Sequence, residues 1–98
     1  MSFDQIIEEF HRLSEARSHV LRNIAESKNE IISITERIEE LQSLPRNGNQ
    51  EIKDQLAKAK DKRKRIRQEI SDHEHNVRMY DSKISAIQMQ IKWRGNEA

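Results

Sequence analysis

Apolar side chains recur along this chain at alternating steps of three and four, in two runs parted by a single polar stretch. The first run passes through Phe3, Ile6, Phe10, Leu13, Arg17, Val20, Ile24, Ser27, Ile31, Ile34, Ile38 and Leu41; the second through Ile52, Leu56, Ala59, Arg63, Ile66, Ile70, His73, Val77, Tyr80, Ile84, Ile87 and Ile91. That alternation keeps one narrow stripe on one side of a helix and is the period of a coiled-coil seam. A half-buried strand would alternate every second residue instead.

Local signals place the ends of the helices. Ser2-Phe3-Asp4-Gln5 reads as a capping box, with the Ser2 hydroxyl taking a first-turn N–H and Gln5 reaching back. Asp4 suits the positive end of the helix dipole. The first helix is expected over 3–44, because Pro45 disfavours α conformation in the residue before it. Residues 45–49, Pro-Arg-Asn-Gly-Asn, form the one cluster of breakers; Asn49 or Asn47 is available as the next cap, and Glu51 sits in the following first turn. The second helix is expected over 50–94, with Gly95 as its C-terminal cap and a short tail 95–98. Each helix would be about 65 Å long at 1.5 Å per residue.

So short a connection makes the helices antiparallel neighbours. A register in which paired residue numbers sum to 97 sets Leu41 on Leu56, Ile31 on Ile66, Val20 on Val77, Leu13 on Ile84, Phe10 on Ile87 and Ile6 on Ile91, apolar on apolar throughout. One continuous helix is disfavoured, since Pro costs ~3 kcal/mol and Gly ~1 kcal/mol in a helix interior. The expected fold is therefore all-α: a long antiparallel two-helix coiled-coil hairpin, a single domain over 1–98, pairing into a homodimeric helical bundle.

Composition changes this picture little. Charged residues make up 36% and hydrophobic residues 34% of 98, as suits a surface-rich helical protein. There is no cysteine, which removes disulfides, thiolate metal sites and a cysteine nucleophile and is compatible with a cytoplasmic setting. No apolar run is long enough to span a membrane, and the acidic N-terminal turn does not have the order of a signal peptide. Charge is divided between the halves. Residues 1–44 carry five basic and nine acidic side chains, a net −4; residues 50–94 carry twelve and seven, a net +5.

The densest local signal is residues 58–67, where eight of ten are charged and seven of those are basic. Lys58, Lys60, Lys62, Lys64, Arg65 and Arg67 form a basic patch suited to an acidic protein surface or to phosphate backbones without base readout. The run resembles a monopartite nuclear-import signal, which would make a nuclear location the alternative to a cytoplasmic one. It contains no aromatic residue, which argues against stacking on single strands. A solvated face neutralised by Glu30, Glu36 and Glu39 of the first helix is the plainer expectation. Against that, the register brings Lys28 near Arg67, Arg37 near Lys62 and Glu30 near Glu69, like charge on like.

Within the seam, the stems of Arg17 and Arg63 can lie along apolar neighbours with their charged ends in water. Arg17 is expected over the Tyr80 ring as a cation–π contact. Ser27 and His73 read as register-setting polar positions. His73-Glu74-His75 fails as a metal motif, since residues two apart do not share a helix face. With no phosphate loop, no nucleophile elbow and no inward Glu-x-x-His, neither catalysis nor a cofactor is expected.

Apolar residues also lie off the seam: Ile7 and Leu21 on one flank, Ile32 outside the first helix, and Met79, Met89 and Trp93 outside the second. Three of the four aromatic residues fall near the termini end of the hairpin. Phe3, Ile7, Phe10, Leu21, Met89 and Trp93 are thus the candidate partner-binding residues, anchored on Trp93. The expected function is a non-catalytic interaction protein (an adaptor, assembly factor or small inhibitor) acting by helix-face contact with a protein partner. Sequence-independent nucleic-acid binding through 58–67 is the alternative.

Overall fold

The computed structural model describes residues 2–45 and 49–97. It contains two long helices, α1 (Phe3–Ser43) and α2 (Gln50–Glu97), with no strand among the described residues. They form a helical hairpin. The chain divides into two compact units, each made of one stretch of either helix: unit 1 holds 1–23 and 73–98, unit 2 holds 24–72.

The caps form as their residues dictate. The Ser2 amide donates to Gln5 Oε1 at 2.8 Å and the Gln5 amide donates to Ser2 Oγ at 3.2 Å, so the capping box closes reciprocally. Asn49 caps α2, its Oδ1 accepting from the Glu51 amide at 3.1 Å and the Ile52 amide at 3.4 Å. Asn47, the other candidate cap, and Gly48 lie outside the described residues. α1 ends at Ser43, one residue before the expected Leu44. The Leu44 amide reaches back three residues to the Leu41 carbonyl at 3.4 Å, and the Ser43 hydroxyl donates to the Glu40 carbonyl at 2.7 Å.

At the other end the expectation fails: α2 does not stop at Arg94 but continues through Gly95 to Glu97. Gly95 is not in the left-handed conformation of a C-terminal cap, and a Cβ there would meet nothing within 4 Å. Glycine lowers helix propensity without forbidding the helix.

Burial follows the two seams. All twelve seam positions of α2 are buried or half-buried, and Gln55 is the one other α2 position so covered among the described residues. In α1 only Phe3 of the twelve is exposed. The cross-helix contacts fix polarity and register. In unit 1, Arg17 Nε donates to Asp81 Oδ1 at 2.5 Å. In unit 2, Arg63 Nη1 donates to Thr35 Oγ1 at 3.4 Å, Arg37 Nη2 to Gln55 Oε1 at 3.2 Å, and Lys62 Nζ lies 3.4 Å from Glu30 Oε1. These paired numbers sum to 98, 98, 92 and 92, on either side of 97 and within one heptad of it.

Two side-chain expectations are overturned by the reach of long basic stems. The Arg17 guanidinium is held by the Asp81 carboxylate rather than by the neighbouring Tyr80 ring, a full charge outcompeting a ring quadrupole. Glu30 and Arg37 also avoid the like-charge partners expected of them. Each engages the residue one heptad away, Lys62 for Glu30 and Gln55 for Arg37, and Arg37 Nη1 also lies 3.4 Å from Glu40 within α1.

The units differ in how well the seam is covered. Unit 2 buries Ile24, Ile34, Ile38, Leu41, Leu56, Ile66 and Ile70. Unit 1 buries Ile6 and Leu13, while Val20, Val77, Tyr80, Ile84, Ile87 and Ile91 stay half-buried. Truncation in the two units should therefore differ. Ile66→Ala should cost about 2–4 kcal/mol in urea unfolding followed by circular dichroism, and Ile87→Ala about half as much. Equal losses would show that unit 1 is as tightly packed as unit 2. Gly95→Ala should leave stability unchanged or raise it by up to about 1 kcal/mol. A loss of that size would restore the left-handed cap.

Candidate partner-binding faces

The seam is bordered by two edges. Positions just before each a residue within the helices form the g edge: Glu9, Ala16, Asn23, Glu30 and Arg37 in α1, with Gln55, Lys62, Glu69, Asn76, Lys83 and Gln90 in α2. Positions just after each d residue form the e edge: Ile7, Ser14, Leu21, Lys28, Thr35 and Gln42 in α1, with Lys53, Lys60, Arg67, Glu74, Asp81 and Gln88 in α2. In an antiparallel pair, g borders g and e borders e.

All six apolar candidates lie in unit 1, but they do not share one face. Ile7 and Leu21 are on the e edge. Phe3 and Phe10 are seam residues at the a position, Phe3 43% exposed and Phe10 half-buried with its ring edge-on to His11 at 5.7 Å between centroids. Met89 and Trp93 are on the outer side of α2, one turn apart and 63% and 67% exposed. Met79, 47% exposed, lies fourteen residues before Trp93 at the same heptad position.

Between Ile7 and Leu21 the e edge opens into a shallow groove of about 420 Å³, lined by Phe10, Ser14, Arg17, Ser18, Asp81, Ile84, Ser85 and Gln88. Phe10 and Ile84 supply the apolar part, three serines keep the walls low, and the Arg17–Asp81 pair lies at the rim. Sequence reasoning weighed the large residues and passed over Ser14, Ser18 and Ser85. The available signal was smallness itself, three serines beside the seam where longer side chains would roof it.

The basic patch in unit 2 is partly neutralised in cis. Lys62 pairs with Glu30, Arg65 Nε lies 3.8 Å from Asp61 Oδ2, and Arg63 spends a donor on Thr35. Lys58, Lys60, Lys64 and Arg67 have no carboxylate partner among the described residues.

No group of three or more His, Asp and Glu side chains placed to hold a metal occurs among the described residues, and no described helix is long and apolar enough to cross a membrane. Comparison with protein-family models, curated proteins and solved structures finds no match to this chain.

One local pair carries a pH signature. Arg12 donates through Nε to Glu9 Oε2 at 2.9 Å and through Nη2 to Glu9 Oε1. The hydrogen-bonded guanidinium holds the Glu9 carboxyl below its ordinary value, and Glu9 in turn raises Arg12. The pair therefore favours the fold above the ordinary carboxylate pKa, and its contribution is lost as pH falls through the lowered one. Carbon-detected NMR titration of Glu9 should show its midpoint rising in Arg12→Ala. An unchanged midpoint would mean that the pair is absent in solution.

Proposed function

We propose that this chain is a non-catalytic coiled-coil interaction protein whose unit 1 docks a protein partner, and that it also pairs with itself. The supporting observation is the uneven distribution of apolar surface. Of the seven exposed large hydrophobic residues described, Phe3, Leu21, Met79, Met89 and Trp93 belong to unit 1 and only Ile32 and Leu44 to unit 2. Unit 1 is also where the seam is least covered. Half-buried aliphatic residues with exposed Met and Trp nearby make the kind of surface that a further helix covers.

Charge does not oppose a second copy. Unit 1 carries seven basic and seven acidic residues, so its net charge is zero. Its two apolar faces allow two tasks. The groove with Ile7, Phe10 and Leu21 suits a helix laid along the hairpin, while Met79, Met89 and Trp93 suit pairing on the outside of α2. An adaptor or assembly factor of the cytoplasm is the role in keeping with such surfaces.

Trp93 is the one tryptophan and reports directly on its own face. In dilute solution its fluorescence should be quenched by acrylamide as readily as free indole. Quenching should fall as the protein is concentrated, in step with a rise in light-scattering mass to that of a dimer, and Trp93→Ala should weaken pairing by about 2 kcal/mol or more. A monomer at all concentrations would remove the pairing part of the proposal. For docking, Ile7→Ser with Leu21→Ser should abolish partner capture from a nuclease-treated lysate of the source cells. Capture unchanged by that double substitution would remove the e-edge groove as the docking site.

A further inference from the structure

The ion pairs of unit 2 sort its charge by edge. The g edge is largely satisfied internally, with Lys62 on Glu30 and Arg37 on Gln55, and Glu69 alone of its charged positions has no ion-pair partner among the described residues. The e edge is not. There α2 presents Lys53, Lys60 and Arg67, each seven residues from the next, with Lys64 one turn outward between the last two, and α1 adds Lys28. All five are exposed, none has a carboxylate partner among the described residues, and no e-edge position of unit 2 is acidic. Of the acidic side chains next to this row along α2, Asp61 is tied to Arg65, and Asp54, beside Lys53, accepts from Gln50 Nε2 at 2.9 Å.

We propose that this e edge of unit 2 is a docking surface for a helix of a partner protein that carries acidic residues at heptad spacing. The surface is distinct from the unit 1 faces and stands independently of them. Three observations select a helix as the occupant. First, seven residues of α2 advance about 10.5 Å, so Lys53, Lys60 and Arg67 form a straight row of about 21 Å with the same repeat as the flank of any helix lying alongside. Carboxylates seven apart on such a helix meet each cation in turn. A nucleic-acid strand advances about 3.4 Å per nucleotide and winds away from a straight row.

Second, Ile32 is 56% exposed, beside Lys28 and Thr35 on the e-edge side of α1, and the register sets it level with Arg65, next to Lys64. It offers an apolar contact that a helix side chain uses and a phosphate does not. Third, every aromatic residue of the chain lies outside 24–72, so unit 2 has no platform for stacked bases. A second copy of this chain does not supply the occupant, because neither helix keeps acidic residues over three successive heptads: Glu8 and Glu15 are followed at that position by Arg22, Asp54 and Asp61 by Gln68, and Glu74 and Asp81 by Gln88.

The test uses the full chain and a fluorescein-labelled three-heptad helical peptide with Leu along one seam and Glu at each successive flank position. Its Gln counterpart and a duplex of about twenty base pairs serve as competing probes. Two double variants remove equal charge: Lys60→Gln/Arg67→Gln on the edge, and Lys58→Gln/Arg65→Gln off it. Circular dichroism checks that both keep their helicity. The Glu peptide should bind, the Gln peptide about tenfold or more weaker. The edge variant should lose about tenfold in affinity, while the off-edge variant stays within about threefold of wild type. Failure of the Glu peptide to bind, equal losses in the two variants, or tighter binding of the duplex at the same salt would each overturn the proposal. The last of these would make the patch a nucleic-acid surface.

Discussion

Everything in this molecule depends on one narrow contact, the meeting of two 3–4 seams of opposite polarity. A two-helix fold has no other interior. Each helix surrenders about a third of its circumference to its neighbour and leaves the rest in water, so stability comes from the quality of the seam and specificity from its borders. The seam of α1 is almost all Ile, Leu, Val and Phe. That of α2 includes Ala59, Arg63, His73 and Tyr80, and this asymmetry explains why six of the nine buried side chains described belong to α1.

The borders then do what the seam cannot. Where long basic stems find acceptors across the hairpin, as Arg17 does with Asp81 and Lys62 with Glu30, the register is reinforced. These are exposed pairs, each contributing at most about 1 kcal/mol. Their value lies in choosing one alignment among several that the apolar repeat alone would tolerate. Where the border is small or of one sign, the edge stays open: serines over the groove of unit 1, lysines and an arginine along unit 2. The same hairpin thus offers an apolar opening in one unit and a cationic row in the other.

The fold was legible because its signal is periodic and long. Twenty-four seam positions in phase leave little freedom, and Ser2, Gln5 and Asn49 announce their caps by short-range chemistry that tertiary structure need not modify. Gly95 was misread because a glycine near a helix end has two meanings, and only the backbone conformation distinguishes them. The edge pairings were misread for a different reason. Alignment by residue number gives the nearest neighbour, whereas an arginine or lysine stem can cross to the next heptad if the charge there is better. The functional faces were only partly legible. Large exposed residues such as Trp93 are visible in any sequence, but that Ile7 and Leu21 lie on a different face from Met89 and Trp93, and that three serines open a groove between the first pair, follows only once the edges are assigned.

The antiparallel meeting of the seams is tested most directly by distance. The chain has no cysteine of its own, so Ser33→Cys/Lys64→Cys places two spin labels at exposed sites of unit 2 and nowhere else. With labelled chains diluted into unlabelled ones, the antiparallel seam predicts an intramolecular separation set by neighbouring helices, whose axes lie about 10 Å apart, plus the reach of the two labels. A separation near 46 Å, the length of thirty-one residues in one uninterrupted helix, would contradict it.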